Sequence, residues 1–448
     1  MDKDLTQGSV INSMLRFATP MIIGNLLQQL YNIVDTLIVS WYLGPNALAA
    51  VGSAFTLMTF LTSIILGLCM GSGVVFSIRF GQKDEIGLKE SAHASFILIV
   101  IITLILNVLA LLSLDNIRLF LHVNDDIIWQ MMRAYFAVIF TGIIGTFLYN
   151  YFACYLRAIG DSLTPLLFLV ISAVLNIVLD IWFVVGLHHG VAGAALATVI
   201  AQYVSGIGLG IFALIRHPQL LPHPSEKLIH WSRIKEIANY SFLTCIQQSV
   251  MNFGILMVQG LVNSFGPTVM AAFAAAVKID SFAYMPVQEF GNAFSTFIAQ
   301  NYGAKKEERI HIGFKIATLT SFTFSIVVSI LVCLFGNQLM QLFVDASETA
   351  IIFEGVRYLR IEGAFYCGIG CLFLLYGLYR ALSKPGMSVV LTVISLGTRV
   401  ALAYLLSSIK TIGVIGIWWS VPIGWFLADL VGIIYYVKNK KTLLSWQH

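Results

Sequence analysis

Apolar runs long enough to cross a bilayer recur along the chain, separated by short polar breaks. They cover residues 14–39, 47–77, 94–114, 127–153, 165–186, 191–215, 236–263, 269–299, 313–335, 355–379, 387–407 and 412–437. A helix needs about 20 mainly apolar residues, at about 1.5 Å rise each, to traverse the hydrocarbon core. Each run therefore predicts one transmembrane helix, twelve in all. The longest runs must tilt, bend or project from the membrane. Continuous runs, rather than two-residue alternation, argue against a transmembrane β-barrel. The longest polar break, 216–235, holds His217-Pro218 and Pro222-His223-Pro224. It predicts a six-helix lobe over 1–215, a cytoplasmic linker over 216–235 and a second six-helix lobe over 236–448.

The two halves repeat. A shift of 223 residues lays Arg157-Ala158 on Arg380-Ala381, Val170-Ile171-Ser172 on Val393-Ile394-Ser395, and Gly190-Val191-x-Gly193 on Gly413-Val414-x-Gly416. A shift of 222 lays Gly44-Pro45 on Gly266-Pro267, Ala49-Ala50 on Ala271-Ala272, and Gly81-x-Lys83 on Gly303-x-Lys305. Six helices per half is an even number, so both halves share one orientation. Parallel repeats related by an axis along the membrane normal suit alternating access.

Charge sets the orientation. With a cytoplasmic N-terminus, nineteen of the 26 Lys and Arg fall in cytoplasmic breaks and five on the other side, with Lys278 and Arg399 inside spans. The positive-inside rule then places both termini in the cytoplasm. The polar start, Met1 to Asn12, lacks the short apolar core and small-residue cleavage site of a signal peptide.

Composition excludes whole classes. Of 448 residues, 58% are hydrophobic and 11% charged, against about 25% charged in soluble domains. A soluble enzyme, a nucleic-acid-binding protein and a disordered chain are ruled out. The bilayer is the expected partner, and the net charge of +4 is no nucleic-acid signal. The six cysteines lie in or beside apolar segments and read as small apolar side chains. Neither a nucleophile motif nor a phosphate loop is present, so no catalytic residue, enzyme activity or cofactor is expected.

Acids inside the bilayer carry the chemistry, because each costs about 2.5–3.5 kcal/mol to insert. Asn25, Gln28, Asn32 and Asp35 are spaced three, four and three apart, which lines one face of the first helix. Asn176 and Asp180 share a face of the fifth helix, and Thr198 follows in a small-residue stretch on the sixth. Two carboxylates, an amide oxygen, a hydroxyl and a backbone carbonyl make an all-oxygen set suited to a hard cation such as Na+. Alternatively, two carboxylates in low dielectric share a proton. On the eighth helix, Asp280 and Glu289 are nine apart, too far to form one site, and read either as substrate-attracting acids or as partners of Lys278 or Arg399. Glu362 reads as an interfacial partner of Arg357 and Arg360, and Asp429 as lying near a cytoplasmic end or a helix contact.

These residues resemble the MATE (multidrug and toxic compound extrusion) transporters over essentially the full length. The matching residues are Pro20, Asn25 and Asp35; Gly44 and Ala49-Ala50-Val51-Gly52; Arg157-Ala158-x-Gly160-Asp161 with Pro165; Asn176-x3-Asp180; Gly190-x2-Gly193-x-Ala195-x-Ala197-Thr198; Pro286-x4-Gly291-x-Ala293; and Gln300-Asn301-x-Gly303-Ala304. The resemblance implies two six-helix lobes in a V shape and efflux of small organic cations in exchange for H+ or Na+. It is nearest the DinF-type branch. That branch implies a cation site at Asp35, Asn176, Asp180 and Thr198 with the Ala194 carbonyl, a polar network through Tyr31 and Tyr135, and a helix bend at Pro20. The NorM-type acid of the seventh helix is absent, for that region reads Gln247-Gln248.

The expected protein is thus an all-α, multi-pass transporter of a bacterial inner (plasma) membrane, acting as a monomer. The alternative is a flippase or exporter of a lipid-linked or natural metabolite.

Overall fold

A computed structural model describes residues 4–120, 126–220 and 230–444. Lys3, Lys227, the Pro222-His223-Pro224 stretch and residues 221–229 of the expected linker lie outside the described residues. The described chain is helical: α1 (Val10–Leu43), α2 (Pro45–Gln82), α3 (Glu85–Leu112), α4 (Leu114–Phe120), α5 (Asp126–Ile139), α6 (Ile143–Ala158), α7 (Leu163–Asp180), α8 (Gly190–Arg216), α9 (Trp231–Asn263), α10 (Pro267–Gly303), α11 (Glu307–Gln341), α12 (Thr349–Gly363), α13 (Tyr366–Ala381), α14 (Pro385–Ser407) and α15 (Val414–Leu443). Among the described residues, eleven spans are long and apolar enough to cross a membrane, or 12 if the bent pair α12–α13 counts as one. The apolar pattern reads 355–379 as one helix. The structure breaks it after Gly363, where α12 and α13 meet at 51°, with Glu362 before the break and Tyr366 after it both buried.

The internal repeat is written into the backbone. Positive φ angles recur at equivalent positions: Gly44 at 83° and Gly266 at 94°, Lys83 at 59° and Lys305 at 55°, Gly160 at 93° and Ser383 at 61°, Gly190 at 60° and Gly413 at 53°. Such angles are rare outside glycine, so four coincidences at separations of 222 or 223 residues show the same helix ends built twice. Gly44 and Gly266 each precede a proline at the first helical position of α2 and α10, where its missing N–H costs nothing.

The chain forms two compact units, one of Ile23–Cys245 and the other of Leu5–Ile22 with Ile246 onward. The division falls within α1 and within α9. In the first unit α6 packs against α2 and α8, and α8 against α5 and α7. A Cβ on Gly206 would lie 2.7 Å from the Gly145 carbonyl oxygen, so only glycine allows this approach of α6 and α8. In the second unit α10 packs against α11, α12 and α13, and α14 against α15.

Each unit grips the leading segment of the other half of the chain. The start of α9 is held in the first unit: Arg79 reaches Glu236 at 2.8 Å, Arg233 reaches Glu90 at 3.0 Å, and Ser241 donates to the Leu68 carbonyl at 3.0 Å. The segment before α1 is held in the second unit. Leu5 is buried, and its N–H donates to Gln300 Oε1 at 3.0 Å. Asn301 Nδ2 donates to the Leu5 carbonyl at 3.3 Å, Lys306 Nζ to that of Thr6 at 2.7 Å, and Arg309 to those of Leu5, Gln7 and Gly8. The Gln300-Asn301 motif therefore serves as a clasp for the N-terminal strap.

Candidate cation site

Within the first unit, α1, α5, α7 and α8 bring most of the expected site residues together. Asp35 on α1 and Asp180 at the end of α7 present their carboxyl groups to each other at hydrogen-bonding range. Asp180 is fully buried. Tyr135 of α5 is buried and faces both acids and Tyr31, whose hydroxyl pairs with Gln28. One turn before Asp180, Asn176 Nδ2 donates to Thr198 Oγ1 at 3.3 Å, and that hydroxyl donates to the Ala194 carbonyl at 3.1 Å.

The balance of donors and acceptors defines the chemistry. Asp35 Oδ1, Asn176 Oδ1 and both carboxyl oxygens of Asp180 are buried, and no protein donor serves them. Buried acceptors without donors are costly. Two carboxyl groups within bonding range also need a proton or a cation between them. The cluster is therefore rich in oxygen and poor in hydrogen, and it fits a proton or a hard monovalent cation.

Local structure explains the placement. α7 passes at Asp180 into a π-helical turn, Ile181–Gly186. Such wide turns are rare and frequent at functional sites. The start of α8 then folds back closely: a Cβ on Gly193 would meet the Phe183 side chain at 3.1 Å. The apolar sequence Ile181-Trp182-Phe183-Val184-Val185 carries no signal of this turn. Pro20 lies within α1 without ending it. Asn25 is ten residues before Asp35, about 15 Å along the axis, and does not share its site. Asn32 contributes its carbonyl, which accepts from Thr36 Oγ1 at 2.8 Å.

In the second unit Asp280 is buried and accepts from Tyr366 at 2.5 Å and Tyr358 at 3.5 Å. Glu289 is separate from it and accepts from Asn292, which in turn accepts from Arg380 at 3.0 Å. Lys278 does not pair with Asp280; its ammonium lies over the Phe343 ring at 6.0 Å. The reading of Glu362 as an interfacial ion pair is corrected. Glu362 is 2% exposed and faces Asp280 and Tyr358, while Arg357 pairs with Glu354 at 3.2 Å. Glu362 lies on the buried face of α12 with Ile352, Gly355, Tyr358 and Leu359, so its place on the helix, not its nearness to the arginines in sequence, decides its partners. Asp429 is a helix contact, buried against Cys371 of α13.

Comparison with known proteins agrees with this architecture. A profile of the MatE family matches residues 20–182 and again 241–405, in step with the internal repeat. The chain belongs to the MatE family. It is similar to the probable multidrug resistance protein YpnP of Bacillus subtilis (strain 168), 29% identical over 88% of this chain and 87% of that one. It is also similar to the DNA damage-inducible protein F of Escherichia coli (strain K12), 25% identical over 74% of this chain and 72% of that one. A solved transporter of the MOP superfamily from Pyrococcus furiosus shares the fold, with a TM-score of 0.92 at 24% identity, covering 99% of this chain and 98% of that one. MatE proteins are transporters and not enzymes, and this MatE chain is a multi-pass plasma-membrane protein.

Proposed function

We propose that the chain is a secondary active antiporter, exporting small organic cations in exchange for H+ or Na+ by alternating access. The observation that carries this reading is the facing pair Asp35–Asp180, in which Asp35 Oδ1 and both Asp180 oxygens are buried without a protein donor. The coupling ion is held by Asp35 and Asp180, with Asn176, Thr198 and the Ala194 carbonyl as supporting oxygens or their positioners. Tyr31, Gln28 and Tyr135 orient the pair. An ion arriving there cancels the repulsion between the carboxyls. Proline lacks the N–H that would bond the carbonyl four residues back, so α1 yields at Pro20 in response. The drug-binding space of the first unit then contracts and its occupant leaves outward.

The driving force can be bounded. If one ion enters per monovalent drug leaving, the exchange is electroneutral and each tenfold ion gradient supplies about 1.4 kcal/mol. A second entering ion would add about 2.3 kcal/mol per 100 mV of membrane potential. Ethidium transport in proteoliposomes, under an imposed Na+ gradient or an imposed pH gradient, tests the reading. One gradient should drive the wild type and not Asp35→Asn. Transport retained by Asp35→Asn would overturn the site. Failure of both gradients, for ethidium and a panel of other cations, would favour export of a lipid-linked or natural metabolite.

A further inference from the structure

The second unit holds a carboxyl pair of its own, and the contrast with Asp35–Asp180 is informative. Asp280 on α10 and Glu362 on α12 are 3% and 2% exposed and face each other at bonding range. Tyr358 and Tyr366 donate to Asp280, Tyr284 lies alongside, and Cys333 stands beyond Tyr366. Arg399 of α14 faces both acids at electrostatic range. Its Nε is buried without a partner, as is Glu362 Oε2.

The repeat relates two members of the clusters, while their acids stand on different helices, α1 and α7 in the first unit and α10 and α12 in the second. A shift of 223 residues places Tyr135 on Tyr358 and Asn176 on Arg399. Where the first unit offers an amide oxygen, the second offers a guanidinium.

We infer that Arg399 is a tethered cation, standing in the second unit where the first unit takes a mobile ion. The inference rests on the antiport reading of the first unit. Charge counting supports it. Two carboxyls sharing one proton carry one negative charge. In the first unit that charge calls for an ion from solution; in the second, Arg399 cancels it permanently. Arginine suits this role because it stays protonated under all ordinary conditions. The second cluster is thereby neutral and silent, and one unit alone couples to the gradient. Arg399 acts through the acids, so it is a positioning and charge-setting residue.

The test counts monovalent cations on the purified full-length protein in lipid nanodiscs, by potentiometric proton titration and by equilibrium binding of radiolabelled Na+. Arg399→Gln should bind one more proton or Na+ than the wild type. Arg399→Lys should match the wild type. Glu362→Gln added to Arg399→Gln should return the count to the wild-type value, and this double variant also restores folding if the single one fails to fold. An unchanged count in Arg399→Gln would overturn the inference, as would an unchanged proton count in Glu362→Gln alone, where Arg399 should balance Asp280 and leave no shared proton to bind. The titration does not depend on transport. If the wild type shows no gradient-driven export, the antiport reading fails while the role of Arg399 is still read out.

Discussion

Asn176 donates its amide Nδ2 to Thr198 Oγ1 at 3.3 Å, and this bond fixes which side of the amide is left as acceptor. Thr198 in turn is anchored by its own donation to the Ala194 carbonyl. Replacing Thr198 with Val keeps the shape and removes the anchor, so the amide is free to turn. Loss of one such bond is worth about 1 kcal/mol, or about a fivefold weaker dependence on the coupling ion. The ion concentration giving half-maximal ethidium export should rise by that factor, with the melting temperature nearly unchanged.

Asp180→Asn should behave differently. The new amide can donate to Asp35, which relieves two unsatisfied carboxyls at once. The variant should remain folded, with a melting temperature at or above that of the wild type. What it should lose is stabilisation by the coupling ion, which for a bound ion at a hundred times its dissociation constant is about 2.7 kcal/mol. A melting curve measured with and without the ion checks this; an ion-dependent shift that survives the substitution would remove Asp180 from the site.

The approach of α10 and α13 leaves no room for a methyl group at Gly377, whose Cβ would stand 2.6 Å from the Gly291 carbonyl oxygen. Gly377→Ala must push backbone against backbone. Overpacking of this kind costs about 1–3 kcal/mol. A lower melting temperature is expected, whereas Gly397→Ala, which meets nothing within 4 Å, should be neutral.

The strap before α1 hangs largely on Arg309, which donates to three of its carbonyls and to Asn301 Oδ1 at 3.1 Å. Arg309→Ala should loosen Leu5–Gly8 at a cost of about 2 kcal/mol. Limited proteolysis should then cut the strap faster, while wild-type protein resists.

Much of this was legible along the sequence, and the reasons are physical. Hydrocarbon forces every backbone polar group to be satisfied within its own helix, so apolar run length alone located nearly every span. Helical spacing exposed the Asn176–Asp180 pair, and the cost of an acid in the bilayer marked Asp35. The positive-φ positions followed the repeat. What spacing does not encode is which way a helix turns about its axis and where it breaks. Glu362 lies close to Arg357 and Arg360 in sequence, yet it shares the buried face of α12 with Tyr358 and Leu359, which turns it to Asp280. The π turn after Asp180 is a matter of backbone bonding among apolar residues that would equally suit an ordinary helix. The grip of Arg79 on Glu236 spans residues far apart in sequence, and no local pattern announces it.

The exchange of leading segments has a consequence for how the protein is made. The strap and the first part of α1 leave the ribosome early, but Gln300, Asn301 and Arg309, which hold the strap, are synthesised about 300 residues later. At roughly 5–20 residues per second this interval lasts about 15–60 s. The second unit can therefore close only after most of the chain has been translated, and the first half, expressed as a fragment, would carry an arm whose grip lies on the missing piece.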